Sequence, residues 1–281
     1  MIYAALVVLG LCLGSFVNAL VWRLHEQDAI KRRKITPSLR DKLSKLSISH
    51  GRSMCPKCGH ELAVIDLVPL LSWLLLGGKC RYCHKPISWQ YPLVELLTVG
   101  LFLFSFCFWP VKISGQEIIV FILWLFILVL LIGLAIYDIR WRLLPNKLVY
   151  PLAVLAIVNL TVTVVVNSSP ASSVVEAAGW GLLVIGGLFY LLFQLSNGKW
   201  IGGGDVKLGA VLGIIVGGPL SSVLLLFLSS VGGTLYALPL IVTGKAQRKT
   251  HIPFGPFLIL AAIITRLFGQ SIINWYKGLY L

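Results

Sequence analysis

Long apolar runs, more than any motif, limit what this chain can fold into. A helix needs about 20 apolar residues to cross a bilayer's hydrocarbon core. Runs of that kind fall at about 2–22, 93–111, 118–137, 148–167, 174–195, 220–242 and 254–275, with a shorter one at 207–218. Hydrophobic residues make up 58% of the 281 positions and charged residues 12%, whereas soluble domains keep about 25% charged. The expected fold is an all-α polytopic membrane protein of about eight transmembrane helices with one small cytoplasmic loop domain. The sixth run is too short to cross comfortably, and Gly217, Gly218 and Pro219 separate it from the seventh. A tilted, broken or re-entrant segment fits there, provided protein covers it or it lines a cavity. The opening run, MIYAALVVLGLCLGSFVNALVW, lacks a basic n-region and a small-residue cleavage site. It reads as a retained helix rather than a signal peptide.

A net charge of +14 would suit nucleic acid, but the placement of the cations excludes that partner. Thirteen of the 24 Lys and Arg lie between Arg23 and Lys85. If the loop 23–92 is cytoplasmic, alternation also places 138–147, 196–206 and 243–253 there. These segments, with Lys207, carry 21 of the 24 cations. The positive-inside rule then sets the N-terminus outside, with anionic lipid as a partner of the basic face. The domain division expected is a first helix (1–22), a cytoplasmic loop domain (23–92) and a membrane domain (93–281). Within the loop, IKRRKITPSLRDKLSKLSI sets Leu39, Leu43 and Leu46 at helical spacing among cations. This suits a basic helix on the membrane surface, although a charged linker has the same composition.

Of the ten acidic residues, five sit in the large loop, and Glu117 and Glu176 open helices, where the dipole favours them. Glu95, Asp138 and Asp205 remain at membrane depth or its edge, where ionisable groups are costly and usually functional. Asp138 closes one apolar run and Asp205 opens another, both at the expected cytoplasmic boundary. Two carboxylates held close cannot both ionise easily. One can then take a proton from water while the other donates to a carbonyl. Gly202, Gly203 and Gly204 precede Asp205 and would let an extended substrate approach the backbone. The plainer readings are an N-cap for Asp205 and an Arg140 or Arg142 ion pair for Asp138. Lys207 could act on Asp205 or on substrate backbone, or simply snorkel to the headgroups.

Cys55, Cys58, Cys80 and Cys83 form two CxxC knuckles separated by 21 residues. Four thiolates at this spacing suit tetrahedral zinc with no open position, hence a structural metal. Two disulfides are the alternative, disfavoured in a cytoplasmic loop. His60 and His84 stand by as substitute ligands. Cys12 and Cys107 lie in apolar runs and should pack as small hydrophobes. The segment between the knuckles, ELAVIDLVPLLSWLLLGGK, is apolar enough to dip into the interface or cover helices.

YDIRWRLLPN, GGGDVKLGA, GSFVNALVWRL and IPFGPFL, in order along the chain, together with the cysteine loop, resemble the prepilin peptidase (type IV leader peptidase) family. The resemblance implies an eight-helix aspartic protease of the GxGD type in the bacterial inner membrane. Its implied task is cleaving the basic leader of prepilins or pseudopilins at the cytoplasmic face, with Asp138 and Asp205 as catalytic pair. It also implies a second activity in members with the cysteine loop: N-methylation of the new terminus from S-adenosylmethionine. No dinucleotide-type glycine loop marks a site for that donor. Glu95 is a candidate contact for substrate amine or cofactor, or else a buried partner for a cation. The competing readings are a protease of other transmembrane or signal segments, and a non-enzymatic transporter or scaffold.

Overall fold

The computed structural model describes residues 1–32, 43–48, 50–166, 170–244 and 252–279. These are helical throughout, apart from loops and two isolated β-bridges. The elements are α1 (Ile2–Lys31), a 3₁₀ turn (Val64–Leu67), α2 (Leu71–Leu75), α3 (Gln90–Cys107), α4 (Glu117–Trp141) and α5 (Asn146–Val166). There follow α6 (Ala171–Ser196, π-helical at Leu182–Gly187), α7 (Gly203–Val216), α8 (Pro219–Val242) and α9 (Gly255–Gly278). Seven of the described helices, all but α2 and α7, are long and apolar enough to cross a membrane. The short sixth run is α7, whose 14 residues extend about 21 Å at 1.5 Å per residue. That is less than a bilayer core, so the eight expected spans are seven long helices and one short one.

The chain divides into two compact units, Met1–Cys107 and Phe108–Leu281. In the first, α1 and α3 lie backbone to backbone. A Cβ at Gly10 would come within 2.9 Å of the Val99 Cα, and one at Gly14 within 2.7 Å of the Glu95 Cα. This GxxxG spacing is what brings membrane helices into close contact. Across the same seam the Asn18 amide donates to the Tyr91 carbonyl at 3.1 Å and accepts from Gln90 at 3.2 Å. The first helix runs through Lys31 rather than ending near 22, because its polar continuation is held by the loop. Buried Arg23 donates to the carbonyls of Ser47 and Gly51 at 3.0 and 2.9 Å, and Gln27 to that of Leu46 at 2.9 Å. Leu39 of the expected basic surface helix lies outside the described residues, as does most of that segment. Leu46, at its end, is fully buried.

The second unit is organised around α4. That helix is apolar on every side, as a helix enclosed by others must be. Trp124, Ile127, Leu128, Leu131 and Leu134 are all shielded from solvent. The short helix α7 crosses α6 with no side chains between them. A Cβ at Gly181 or at Gly213 would strike the other residue's carbonyl, and Gly209 accommodates Phe189 and Ile185. The π-helical stretch of α6 lies at this crossing, where Gly186 meets Ala210. Packing this tight fixes α7, and with it the residue at its first turn, Asp205.

Candidate active site and cysteine cluster

Asp138 occupies the last turn of α4 and is 6% exposed. Its Oδ2 accepts the Gly255 N–H at 3.0 Å, from the first residue of α9. A Cβ at position 255 would lie 2.6 Å from that oxygen, so only glycine brings a helix N-terminus this close. Arg142 ends α4 in the left-handed conformation (φ 55°) and returns its N–H to the Asp138 carbonyl at 2.8 Å. Among the described residues neither Arg140 nor Arg142 forms an ion pair with Asp138, and the Arg140 guanidinium lies over the Trp141 ring instead.

Asp205 is the third residue of α7 and half-buried. Its carboxylate turns back to the Gly202 N–H, the N3-to-N-cap half of a capping box. Its own N–H reaches the Gly202 carbonyl at 3.0 Å. The Asp138 charge is felt at this carboxylate, so the ends of α4 and α7 hold two acids within electrostatic range of one another. Gly202 is exposed, while Gly203 and Gly204 are flanked on one side by neighbouring segments. Leu144 of the RLLPN segment lies 3.0 Å from where a Gly204 Cβ would be, and Phe193 lies 3.7 Å from that of Gly203. Lys207 follows Asp205 by two residues, which points it to a different face of α7. There its Nζ donates to the Asn146 Oδ1 at 3.0 Å and lies 5.8 Å from the Tyr150 ring centroid.

Glu95, in the first unit, is 5% exposed. Its Oε2 accepts the Leu70 N–H at 2.7 Å, and Ser15 of the GSFVN segment is a second hydrogen-bond partner. Leu70 has φ 61°, a strained left-handed conformation for a γ-branched residue. Its N–H reaches the carboxylate from there.

The four cysteines converge, with every Sγ within 4.8 Å of the others. Each knuckle repeats one design. The first cysteine's N–H bonds the carbonyl five residues on (Cys55 to His60 at 2.9 Å, Cys80 to Lys85 at 3.0 Å). The residue after the second cysteine has positive φ, 72° at Gly59 and 53° at His84. Burial pushes the Cys80 thiol up, but backbone N–H groups of Cys83 and Tyr82 and the neighbouring thiols bring it down to about 7. The His60 N–H favours a Cys58 thiolate, yet desolvation and the adjacent Cys55 and Cys83 outweigh it and push that thiol up to about 11. Four thiols this close form a donor set that a cation would complete. Neither histidine joins it: the His60 ring stacks on Tyr82 at 3.7 Å. Asp66, from the apolar segment, ties the second knuckle down by accepting from the Arg81 Nε at 2.7 Å and the Tyr82 hydroxyl at 3.1 Å.

Sequence reasoning singled out both aspartates, the glycine run and the cysteines, but missed three supports. These are Gly255, the Leu70 N–H and the Asp66 clamp. Gly255 alone left a trace, as a glycine between Phe254 and Pro256 at the start of an apolar run.

Two family models match the chain: the Bacterial Peptidase A24 N-terminal domain over residues 8–109 and the Type IV leader peptidase family over 124–238. A prepilin leader peptidase/N-methyltransferase of Aeromonas salmonicida is 34% identical over 100% of this chain and 96% of its own length. One from Legionella pneumophila is 33% identical over 99% and 96%. A type 4 prepilin-like proteins leader peptide-processing enzyme of Escherichia coli is 36% identical over 91% and 90%. No solved structure matches the chain. With both halves matching family models and relatives alike from end to end, the chain belongs to the type IV leader peptidase family.

Proposed function

We propose that this chain is a two-activity enzyme of the bacterial inner membrane. It removes the basic leader of prepilins or pseudopilins at the cytoplasmic face, then N-methylates the amine so exposed. The observation that carries the reading is that Asp138 and Asp205, at the ends of α4 and α7, lie within electrostatic range of one another. The names of the relatives support both activities, and the basic loops support a cytoplasmic site with the N-terminus outside.

Peptide hydrolysis then runs through the pair. The ionised carboxylate takes a proton from water as the water oxygen attacks the scissile carbonyl carbon. The protonated carboxyl gives its proton to the carbonyl oxygen. Collapse of the tetrahedral intermediate breaks the C–N bond; the proton gained from water passes to the leaving amine, and a hydroxyl proton of the intermediate returns to the carboxylate that protonated the carbonyl oxygen. The titration belongs to the pair rather than to either residue. Gly255 fixes one Asp138 oxygen before substrate arrives. Gly202, Gly203 and Gly204 leave room for an extended substrate beside Asp205. Lys207, on another face of α7, serves at the headgroup level, facing anionic lipid.

Cys55, Cys58, Cys80 and Cys83 would hold zinc, and four thiolates fill its coordination sphere. The metal would therefore organise the loop rather than activate water. S-adenosylmethionine is the methyl donor that N-methylation requires. Glu95, buried and with no cation as partner among the described residues, is the group we assign to the substrate amine or the donor. The test is incubation of full-length protein in detergent with a purified prepilin, with and without S-adenosylmethionine. Mass spectrometry should show leader loss in both cases and methyl gain only with the donor. An uncleaved prepilin overturns the protease assignment, and a cleaved but unmethylated one overturns the second activity.

A further inference from the structure

Arg266 lies deep in α9, eleven residues past Gly255 and so about 16 Å along the helix from the acid pair. A guanidinium inside a membrane span is costly and is kept for a partner. Among the described residues it makes no hydrogen bond and no ion pair; its Cζ lies 5.2 Å from the centre of the Trp109 ring. Glu117 acts on it only from beyond ion-pair distance.

The guanidinium borders a cavity of about 140 Å³, whose walls include Asn159, Thr163, Val174, Ile214 and Gly217. This cavity is at the end of α7 opposite Asp205. The Asn159 amide spends one N–H on the Val120 carbonyl at 3.1 Å, and the Thr163 hydroxyl donates to the Asn159 carbonyl at 2.8 Å. The five N–H donors of Arg266 carry the charge that would hold an anion here, and their planar fork matches two oxygens of a phosphate. The space suits a tetrahedral oxyanion but not a whole lipid, while Val174 and Ile214 offer apolar contact at its rim.

We infer that the Arg266 cavity is an oxyanion site that takes the phosphate of a phospholipid headgroup from the leaflet opposite the acid pair. Delipidated full-length protein in detergent would be given phosphatidylglycerol, the diacylglycerol with the same chains, or glycerol phosphate. Bound molecules would be counted by native mass spectrometry. Wild type should retain phosphatidylglycerol at least tenfold better than diacylglycerol. Arg266→Gln should lower that retention by about 10- to 100-fold, the worth of a charge-assisted hydrogen bond, with Arg266→Lys in between because it loses the fork. Thr163→Leu fills the cavity without touching the charge and should also lower retention. Prepilin cleavage in detergent should stay at the wild-type rate in these variants, which shows that they fold. Phosphatidylglycerol retained equally by wild type and Arg266→Gln overturns the site. Glycerol phosphate bound as tightly as the lipid supports the oxyanion site but overturns the lipid as its source.

Discussion

Glu95 in the first unit and Asp138 in the second are both buried and held by the same device, yet the chemistry available to each differs. Glu95 in the first unit accepts a backbone N–H from Leu70 at 2.7 Å, and Asp138 in the second accepts one from Gly255 at 3.0 Å. Both donors come from segments distant in sequence, and both acids are nearly closed off from solvent. Asp138 has a second acid, Asp205, within electrostatic reach; Glu95 has none as a partner among the described residues. A pair of acids can share one proton and so run general acid and general base catalysis together. A single acid lacks the second proton site that such sharing needs. On the proposed function, hydrolysis therefore belongs to the second unit and recognition of an amine to the first.

The largest effect should come from uncoupling the pair. Asp138→Asn or Asp205→Asn keeps size and hydrogen bonding but removes the shared proton. Prepilin cleavage should fall by at least about 10²- to 10⁴-fold, the worth of general acid–base catalysis, with the protein still inserted and folded. Cleavage by either variant at more than a tenth of the wild-type rate would end the distinction between the two acids. Gly255→Ala comes next. The added carbon needs space 2.6 Å from the Asp138 Oδ2. Either the carboxylate or the α9 start must move, at a cost of about 1–3 kcal/mol for overpacking. Cleavage should drop more than tenfold with little change in prepilin binding, and a variant of normal rate would show that this N–H does not orient Asp138. Glu95→Gln tests the other side of the comparison. It should spare leader removal while methylation of the same prepilin falls tenfold or more. Loss of cleavage together with methylation would make Glu95 a general support of the fold instead.

How much of this was legible in the sequence depends on how local the cause is. Helix count follows from apolar length, a property of contiguous residues, and so α7 was recognisable as short from Gly217–Pro219 alone. The convergence of the four cysteines was legible because two CxxC turns each bring a pair of thiols together. Asp138 and Asp205 stood out because carboxylates are rare in apolar sequence. What holds them was not legible, since a backbone N–H carries no residue label. Leu70 looks like any leucine, and its φ of 61° is imposed by tertiary structure against local preference. The continuation of α1 past its apolar run to Lys31 was not legible for a similar reason. Arg23 and Gln27 donate to the carbonyls of Ser47, Gly51 and Leu46 there.

The smallest predicted effect concerns the clamp on the cysteine knuckles, and it also tests whether the first unit's acids are structural. The Asp66 side chain is only 3% exposed. Burial pushes its carboxyl up, but hydrogen bonds from Arg81, Tyr82 and the Ala63 N–H outweigh that and leave it below the ordinary carboxylate value. A carboxylate depressed in the folded state stabilises fully above its unfolded pKa, near 3.9. It loses that contribution as pH falls through the folded value. The clamp should therefore hold unchanged from neutral pH down to about 4 and fail only below it. Asp66→Asn removes the charge at every pH and should cost about 1–3 kcal/mol locally, visible as faster hydrogen exchange at Cys80–His84 at pH 7. Arg81→Gln added to it should cost little more, because the two changes break one interaction. Full additivity of the two changes would show that Asp66 and Arg81 act independently rather than as one clamp.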